Sequence, residues 1–220
     1  MTAPKAVLFD LDGTLIQTLP DISRCMNQAL AAHGLPVHPM DAYRYFTGDG
    51  AANLTRRAIG PGQDALFDAV YTDYRALYAV HCNDTSHVYD GIPALLQSLH
   101  AAGLRLAVLS NKDQEDVEHV IAHYLPGAPF ALLRGRRPNV PIKPDPAAAL
   151  DIAAEMSLTP EDFWYIGDTP TDLKTCRNAG MRFIGAGWGF RTPEELRRAG
   201  AERVAAAPRD AGVIMLGNAE

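Results

Sequence analysis

Two pairs of acids, one lysine and a short polar triplet stand at positions where an α/β chain does chemistry. Asp10 follows the apolar run 6–9, and Asp12 lies two residues further on. The run has the composition of a buried parallel strand, so Asp10 falls at its carboxyl end, where open α/β sheets bind ligands. Residues two apart on an extended chain face the same way, which lets Asp10 and Asp12 converge on one reacting group. Two carboxylates that close repel each other, so one holds a proton or a cation intervenes. That suits an acid working beside a nucleophile, or a magnesium site.

The run 163–166 ends in Gly167-Asp168-Thr169-Pro170-Thr171-Asp172, again placing an acid at a strand end and a second acid near a helix start. Magnesium prefers oxygen ligands and usually takes one or two protein carboxylates, a pair that Asp10 and Asp168 supply if their strands are neighbours. Ser110-Asn111-Lys112 closes the run 104–109 and leads into a helix. A hydroxyl, an amide and free backbone N–H groups there make an anion cradle. Lys143, in Ile142-Lys143-Pro144-Asp145-Pro146, also precedes a helix, and the flanking prolines limit its wandering. Singly, each of these is an ordinary helix cap or a solvated side chain; their recurrence at strand ends is what points to a site.

The elements that must position these residues are legible from periodicity. After residue 88 helix and strand alternate: helices over 93–102, 113–124, 145–156 and 171–179, strands over 104–109, 130–133, 163–166 and 181–184. Strands separated by helices of that length mean βαβ crossovers and a parallel sheet. Residues 16–86 read instead as all helix, with a first helix from Pro20 to Gly34 and further ones over 41–47, 51–59 and 63–80. In the last of these Leu66, Phe67, Val70, Tyr71, Tyr74, Leu77 and Tyr78 form an apolar and aromatic stripe that reads as a helix-bundle core. Thr192-Pro193-Glu194-Glu195 has the capping-box pattern, with proline at the first helical position, so a short helix to residue 199 should follow.

Composition narrows the function classes. At 220 residues there is room for one sizeable α/β core and a smaller insertion. The net charge of -6 argues against a nucleic-acid binder. No apolar run approaches membrane-spanning length and the first strand begins almost at once, so a cytoplasmic protein that spans no membrane is expected. Cys25, Cys82 and Cys176 belong to no C-x-x-C pair and read as free buried thiols. Arg134, Arg136 and Arg137 read as a solvated loop cluster near Lys143.

Taken in order, Asp10-Leu11-Asp12-Gly13-Thr14, Ser110, Lys143 and Gly167-Asp168 with Asp172 resemble the four motifs of the haloacid dehalogenase-like hydrolase superfamily. The resemblance covers nearly the whole chain. It implies an α/β fold with a Rossmann-like parallel-sheet core, residues 1–16 and 87–220, and an inserted all-α cap, residues 17–86. It also implies phosphotransfer through an aspartyl-phosphate: Asp10 as nucleophile and Asp12 as acid and then base. Mg2+ would be held by Asp10, Asp168 and the Asp12 backbone carbonyl. Thr14, Ser110, Asn111 and Lys143 would hold the phosphate, while Asp172 would reach the metal through water or fix Lys143. The expected partner is a small phosphate ester, and the chain a monomer or homodimer.

Within the superfamily the chain looks most like the phosphoglycolate phosphatase group. Leu19-Pro20-Asp21-Ile22, Thr47-Gly48-Asp49-Gly50-Ala51, Arg56-Arg57-Ala58-Ile59-Gly60 and Gly187-Trp188-Gly189-Phe190 fit that group. Gln17-Thr18 and Asp49 depart from it. Arg56 or Arg57 could meet a substrate carboxylate. A dehalogenase would not need Asp12, and a phosphonate hydrolase typically brings a cap lysine, whereas residues 19–86 contain none. A sugar phosphomutase and a pyrophosphatase keep all the motifs and remain alternatives. From a different class, so does a regulatory module with this fold and no turnover.

Overall fold

A computed structural model describes residues 4–217. In chain order its elements begin with strands β1 (Ala6–Phe9) and β2 (Ile16–Gln17), then helices α1 (Leu19–Ala32), α2 (Met40–Phe46), α3 (Ala51–Ile59) and α4 (Phe67–His81). There follow β3 (His87–Val88), α5 (Ile92–Ala101), β4 (Arg105–Asp113), α6 (Gln114–Tyr124), β5 (Phe130–Arg136) and α7 (Ala147–Glu155). The chain closes with β6 (Phe163–Gly167), α8 (Pro170–Ala179), β7 (Arg182–Ala186), α9 (Pro193–Arg198), β8 (Val204–Ala205) and α10 (Pro208–Leu216). It divides into two compact units, one of residues up to Ile16 with those from Val88 on, the other Gln17–His87.

The larger unit is built on a six-stranded sheet of order β5-β4-β1-β6-β7-β8, parallel throughout. Every residue of β1 is fully buried, as a central parallel strand covered on both faces requires. Ala6 and Leu8, with Ala107, Leu109, Phe163 and Tyr165 of the adjoining strands, pack under Ala149 and Ile152 of α7 and Cys176 of α8. Register decides where the chemistry falls. Phe9 pairs with Val108 on one side and Ile166 on the other, so the register brings Asp10, Ser110 and Asp168, each one or two residues further on, to one edge.

Sequence periodicity placed most of these elements within a residue or two, and Thr192 caps α9 as its pattern indicates. Its Oγ1 accepts from Glu195 N at 3.2 Å and its N–H donates to Glu195 Oε2 at 2.8 Å. Two expectations are corrected. β4 does not stop at Leu109 but continues through Ser110-Asn111-Lys112 to Asp113, which pairs with Arg136 across a register shift. The triplet is therefore strand rather than the start of a helix. β5 likewise extends through Arg134 and Arg136, and the basic cluster read as a solvated loop is paired instead: Arg134 with Glu155, Arg136 with Asp113 at 2.6 Å, Arg137 with Asp151 at 3.6 Å. β8 and α10 were not expected from the sequence at all.

The smaller unit is helical. α1 buries Ile22, Cys25, Met26, Ala29 and Leu30, the helically spaced face. Of the stripe on α4 only Val70, Tyr74 and Tyr78 are buried; Phe67 and Tyr71 are half-exposed and stack on each other at 5.6 Å. Asp21 organises this unit's two ends. Its buried carboxylate accepts from Thr85 N and Oγ1, from Ser86 N and Oγ at 2.8 and 2.7 Å, and from Arg24 at 2.8 Å. Those donors overcome burial and hold Asp21 well below the usual carboxylate range.

Candidate active site

Asp10 stands at the end of β1 because its N–H bonds Ile166 O at 2.9 Å, which ties it to β6 before the chain leaves the sheet. The chain then turns tightly, with Leu11 O accepting from Thr14, Leu15 and Ile16 N–H groups. Gly13 makes the turn possible. It adopts φ +87°, and a Cβ there would strike the Asp168 carboxylate.

Lys143 reaches into the same place. Its Nζ donates to Asp10 Oδ1 at 2.8 Å, to Asp172 Oδ1 at 2.7 Å and to Leu109 O at 3.2 Å, and the residue is only 3% exposed. The lysine is held at its root as well as its tip. Asn111 accepts from Lys143 N through Oδ1 at 2.8 Å and donates to Lys143 O through Nδ2 at 3.0 Å. Asn111, expected to hold phosphate, thus has both ends of its amide engaged in fixing the Lys143 backbone. That function depends on a distant loop returning to β4, so no local pattern could have revealed it.

Asp168 is fully buried, its Oδ2 accepting from Phe190 N at 2.7 Å and its Oδ1 from Thr14 Oγ1 at 3.2 Å. Thr14 is in turn steadied by Trp188, whose Nε1 donates to Thr14 O at 2.9 Å. The Gly187-Trp188-Gly189-Phe190 stretch therefore helps to build the site, a part its sequence did not announce. Asp172 accepts from Lys143 and from Tyr165 OH at 3.1 Å on one oxygen, and from Thr169 N and Oγ1 at 3.1 and 2.6 Å on the other. Tyr165 is a contributor that the strand pattern marked only as core. Ser110 is buried close by, its Oγ accepting from Lys112 N at 3.2 Å. Asp12 pairs with Lys112 at 3.1 Å.

Electrostatics then say what this assembly can hold. One oxygen from each of Asp10, Asp168 and Asp172 lies within 4.8 Å of the others, and all three residues are buried. Burial first, and the Asp172 charge second, push Asp168 up to about 7 and Asp10 well above its ordinary value, although Lys143 pulls the other way on both. Lys143 stays charged because Asp10 and Asp172 more than offset the cost of burying it. One ammonium facing three buried carboxylates leaves negative charge uncompensated. An oxygen-seeking divalent cation fits that donor set.

Arg56 and Arg57 lie on α3 and are engaged within the helical unit. The Arg56 guanidinium sits 4.5 Å above the Phe67 ring, a cation–π contact. Arg57 grips Asp49 with two bonds of 2.5 Å and donates to Phe46 O at 2.8 Å. Among the described residues no helix is long and apolar enough to cross a membrane.

Comparison with known proteins bears on this geometry. Residues 7–186 match the family model described as haloacid dehalogenase-like hydrolase. A phosphoglycolate phosphatase of Pseudomonas putida is 31% identical over 195 residues, 86% of this chain and 71% of the relative. An N-acetylmuramic acid 6-phosphate phosphatase of Pseudomonas aeruginosa is also 31% identical, covering 87% of this chain and 85% of the relative. Among solved structures, one from Lactobacillus delbrueckii subsp. bulgaricus, whose own assignment as a phosphoglycolate phosphatase is provisional, superimposes with TM-score 0.92 at 25% identity. It covers 99% of this chain and is itself covered completely. CbbY from Rhodobacter sphaeroides, solved with phosphate, superimposes with TM-score 0.75 at 25% identity over 96% of this chain and 99% of its own.

Proposed function

The chain belongs to the haloacid dehalogenase-like hydrolase family, in its phosphoglycolate phosphatase-like group, and from that premise we propose a magnesium-dependent phosphatase for small organic monoesters, with 2-phosphoglycolate the first candidate substrate. The observation that carries the reading is the buried contact of Asp10 Oδ1 with Lys143 Nζ at 2.8 Å, with Asp168 at the same sheet edge.

In this reading an Asp10 oxygen attacks phosphorus, and its new O–P bond forms as the bond to the leaving oxygen breaks. Asp12 gives its proton to that leaving oxygen, then takes one from the water that cleaves the aspartyl-phosphate, so both carboxyl groups return to their starting state. Splitting one displacement into two avoids direct attack by water on an anionic ester. Lys143 holds Asp10 in line and sets its positive charge beside the transferring oxygens, where Ser110 and Thr14 also act. Asp172 has both oxygens occupied by Lys143, Tyr165 and Thr169, so its part is to hold the lysine, reaching a metal only through water. Asp10, Asp168 and the Asp12 carbonyl would hold magnesium, which when bound offsets the charge of nucleophile and phosphate.

One observation favours a second reading of the substrate. Arg57, offered by the sequence to a substrate carboxylate, is gripped by Asp49, and Arg56 lies over Phe67. A leaving group without a carboxylate, such as a sugar, asks nothing of either arginine. We therefore set a sugar phosphate beside 2-phosphoglycolate as a second candidate ester. A panel of phosphorylated metabolites assayed with magnesium separates these readings by kcat/KM. Undiminished turnover after exhaustive chelation of divalent metal would remove the metal-dependent mechanism, and undiminished turnover in Asp10→Asn the covalent one.

A further inference from the structure

We infer that Trp188 is a positioning residue for the divalent-cation site: by holding the turn at Thr14 it fixes the Asp168 carboxylate in one orientation and so raises the site's affinity for magnesium. The inference rests on the metal-dependent reading above and gives that site a residue from outside the acidic cluster.

Three hydrogen bonds join one short loop and one turn to one acid. Trp188 Nε1 donates to Thr14 O at 2.9 Å, Thr14 Oγ1 donates to Asp168 Oδ1 at 3.2 Å, and Phe190 N donates to Asp168 Oδ2 at 2.7 Å. Each carboxylate oxygen is therefore gripped, one from residue 14 and one from residue 190, and the indole ties the two grips to each other. The backbone lies close against the acid as well. A Cβ on Gly189 would strike Asp168 Cβ and Gly13 O, and one on Gly13 would strike the Asp168 carboxylate. Glycine at both positions is what admits this approach.

The loop has its own anchorage. Gly187 N donates to Ala205 O at 2.9 Å, which fastens the loop to β8, and Gly189 N donates to Ala186 O at 3.1 Å, which closes its turn. Thr14 is more loosely held by its own backbone. Its N–H reaches Leu11 O at 3.3 Å, a longer bond than those of Leu15 and Ile16 to the same oxygen, 3.0 and 3.1 Å. The indole's hold on Thr14 O therefore bears on where the threonine hydroxyl meets Asp168.

A carboxylate ordered in advance spares the cation the cost of ordering it. Hydrogen-bond partners behind a metal ligand are typically worth about 10- to 100-fold in metal affinity. Phenylalanine would fill much of the same apolar space, so the indole N–H is what sets the tryptophan apart.

Trp188→Phe keeps an aromatic ring and removes the donor. Mn2+ titrated into the substrate-free full chain, with the free ion followed by electron paramagnetic resonance, should bind the variant about 10- to 100-fold more weakly than wild type. With a phosphate ester that the wild type hydrolyses, the magnesium concentration giving half-maximal turnover should rise by a similar factor. At saturating magnesium the variant's turnover should return to within about threefold of wild type, since the lost term is affinity for the ion and not a step of the reaction. Unchanged Mn2+ affinity would overturn the inference. So would a loss of turnover that saturating magnesium does not recover, because the tryptophan would then be merely structural. Wild type that binds no Mn2+, or cleaves esters equally well without divalent metal, would instead remove the metal-dependent reading beneath it.

Discussion

Lys143 Nζ lies between Asp10 Oδ1 at 2.8 Å and Asp172 Oδ1 at 2.7 Å, so one buried ammonium is the counter-charge of two carboxylates from strand ends and helix starts far apart in sequence. The contact serves the fold and the chemistry together. Lys143→Met removes the charge and keeps most of the volume, leaving two buried acids facing each other. Stability should fall by about 3–5 kcal/mol in urea unfolding without added metal. Combining it with Asp172→Asn should restore part of that loss, because one of the stranded charges is then gone. Activity should be lost in both variants.

Asn111 acts on the same lysine through the backbone. Asn111→Ala deletes the pair of bonds of 2.8 and 3.0 Å to Lys143 and should cost about 1–3 kcal/mol. Because the lysine then loosens rather than disappears, kcat should drop while the protein stays folded, a split that steady-state kinetics beside a thermal melt will show.

Several of these relationships are legible in the sequence, and others are not. Asp10 and Asp168 were legible because each directly follows an apolar run, and in a parallel sheet that alone places an acid at the ligand-binding edge. The boundaries of β4 and β5 were not. Both strands end in polar and charged residues, which looked like loop, yet Arg136 finds Asp113 across the edge pair and carries the ladder outward. β8 is two residues long and α10 follows an alanine-rich stretch, too little pattern to register. The parts played by Asn111, Tyr165 and Trp188 arise only when distant segments meet. No local periodicity encodes such a meeting.

Gly13 carries a prediction of the opposite kind, since its space is already taken. Gly13→Ala forces a side chain onto the Asp168 carboxylate and strains a backbone held at φ +87°. We expect a loss of about 2–4 kcal/mol by denaturant titration, more than an exposed left-handed glycine would cost. Activity should fall with it as Asp168 is displaced. A variant of wild-type stability would mean that the turn and Asp168 do not share this space.

In the helical unit Asp21 sets a pH dependence. Against the upward push of burial, Arg24, Thr85 and Ser86 hold its folded-state value below the unfolded one, so its stabilisation is fully present above the unfolded pKa. It is lost as pH falls through the folded value. Asp21→Asn should therefore be less stable than wild type at neutral pH by about 2–4 kcal/mol, and the gap should narrow in acid. Parallel melts at pH 7 and in strong acid check the sign, which a constant gap would contradict.

In the proposed reaction Asp10 is the atom donor to phosphorus. A single turnover with a radiolabelled phosphate ester and magnesium, quenched in acid within milliseconds and digested, reads this directly. Label should appear transiently on the peptide that carries Asp10 and be absent from Asp10→Asn, whose turnover should fall to background. Ester cleaved at the wild-type rate by Asp10→Asn, or label passing to water with none ever held by the protein, would contradict it.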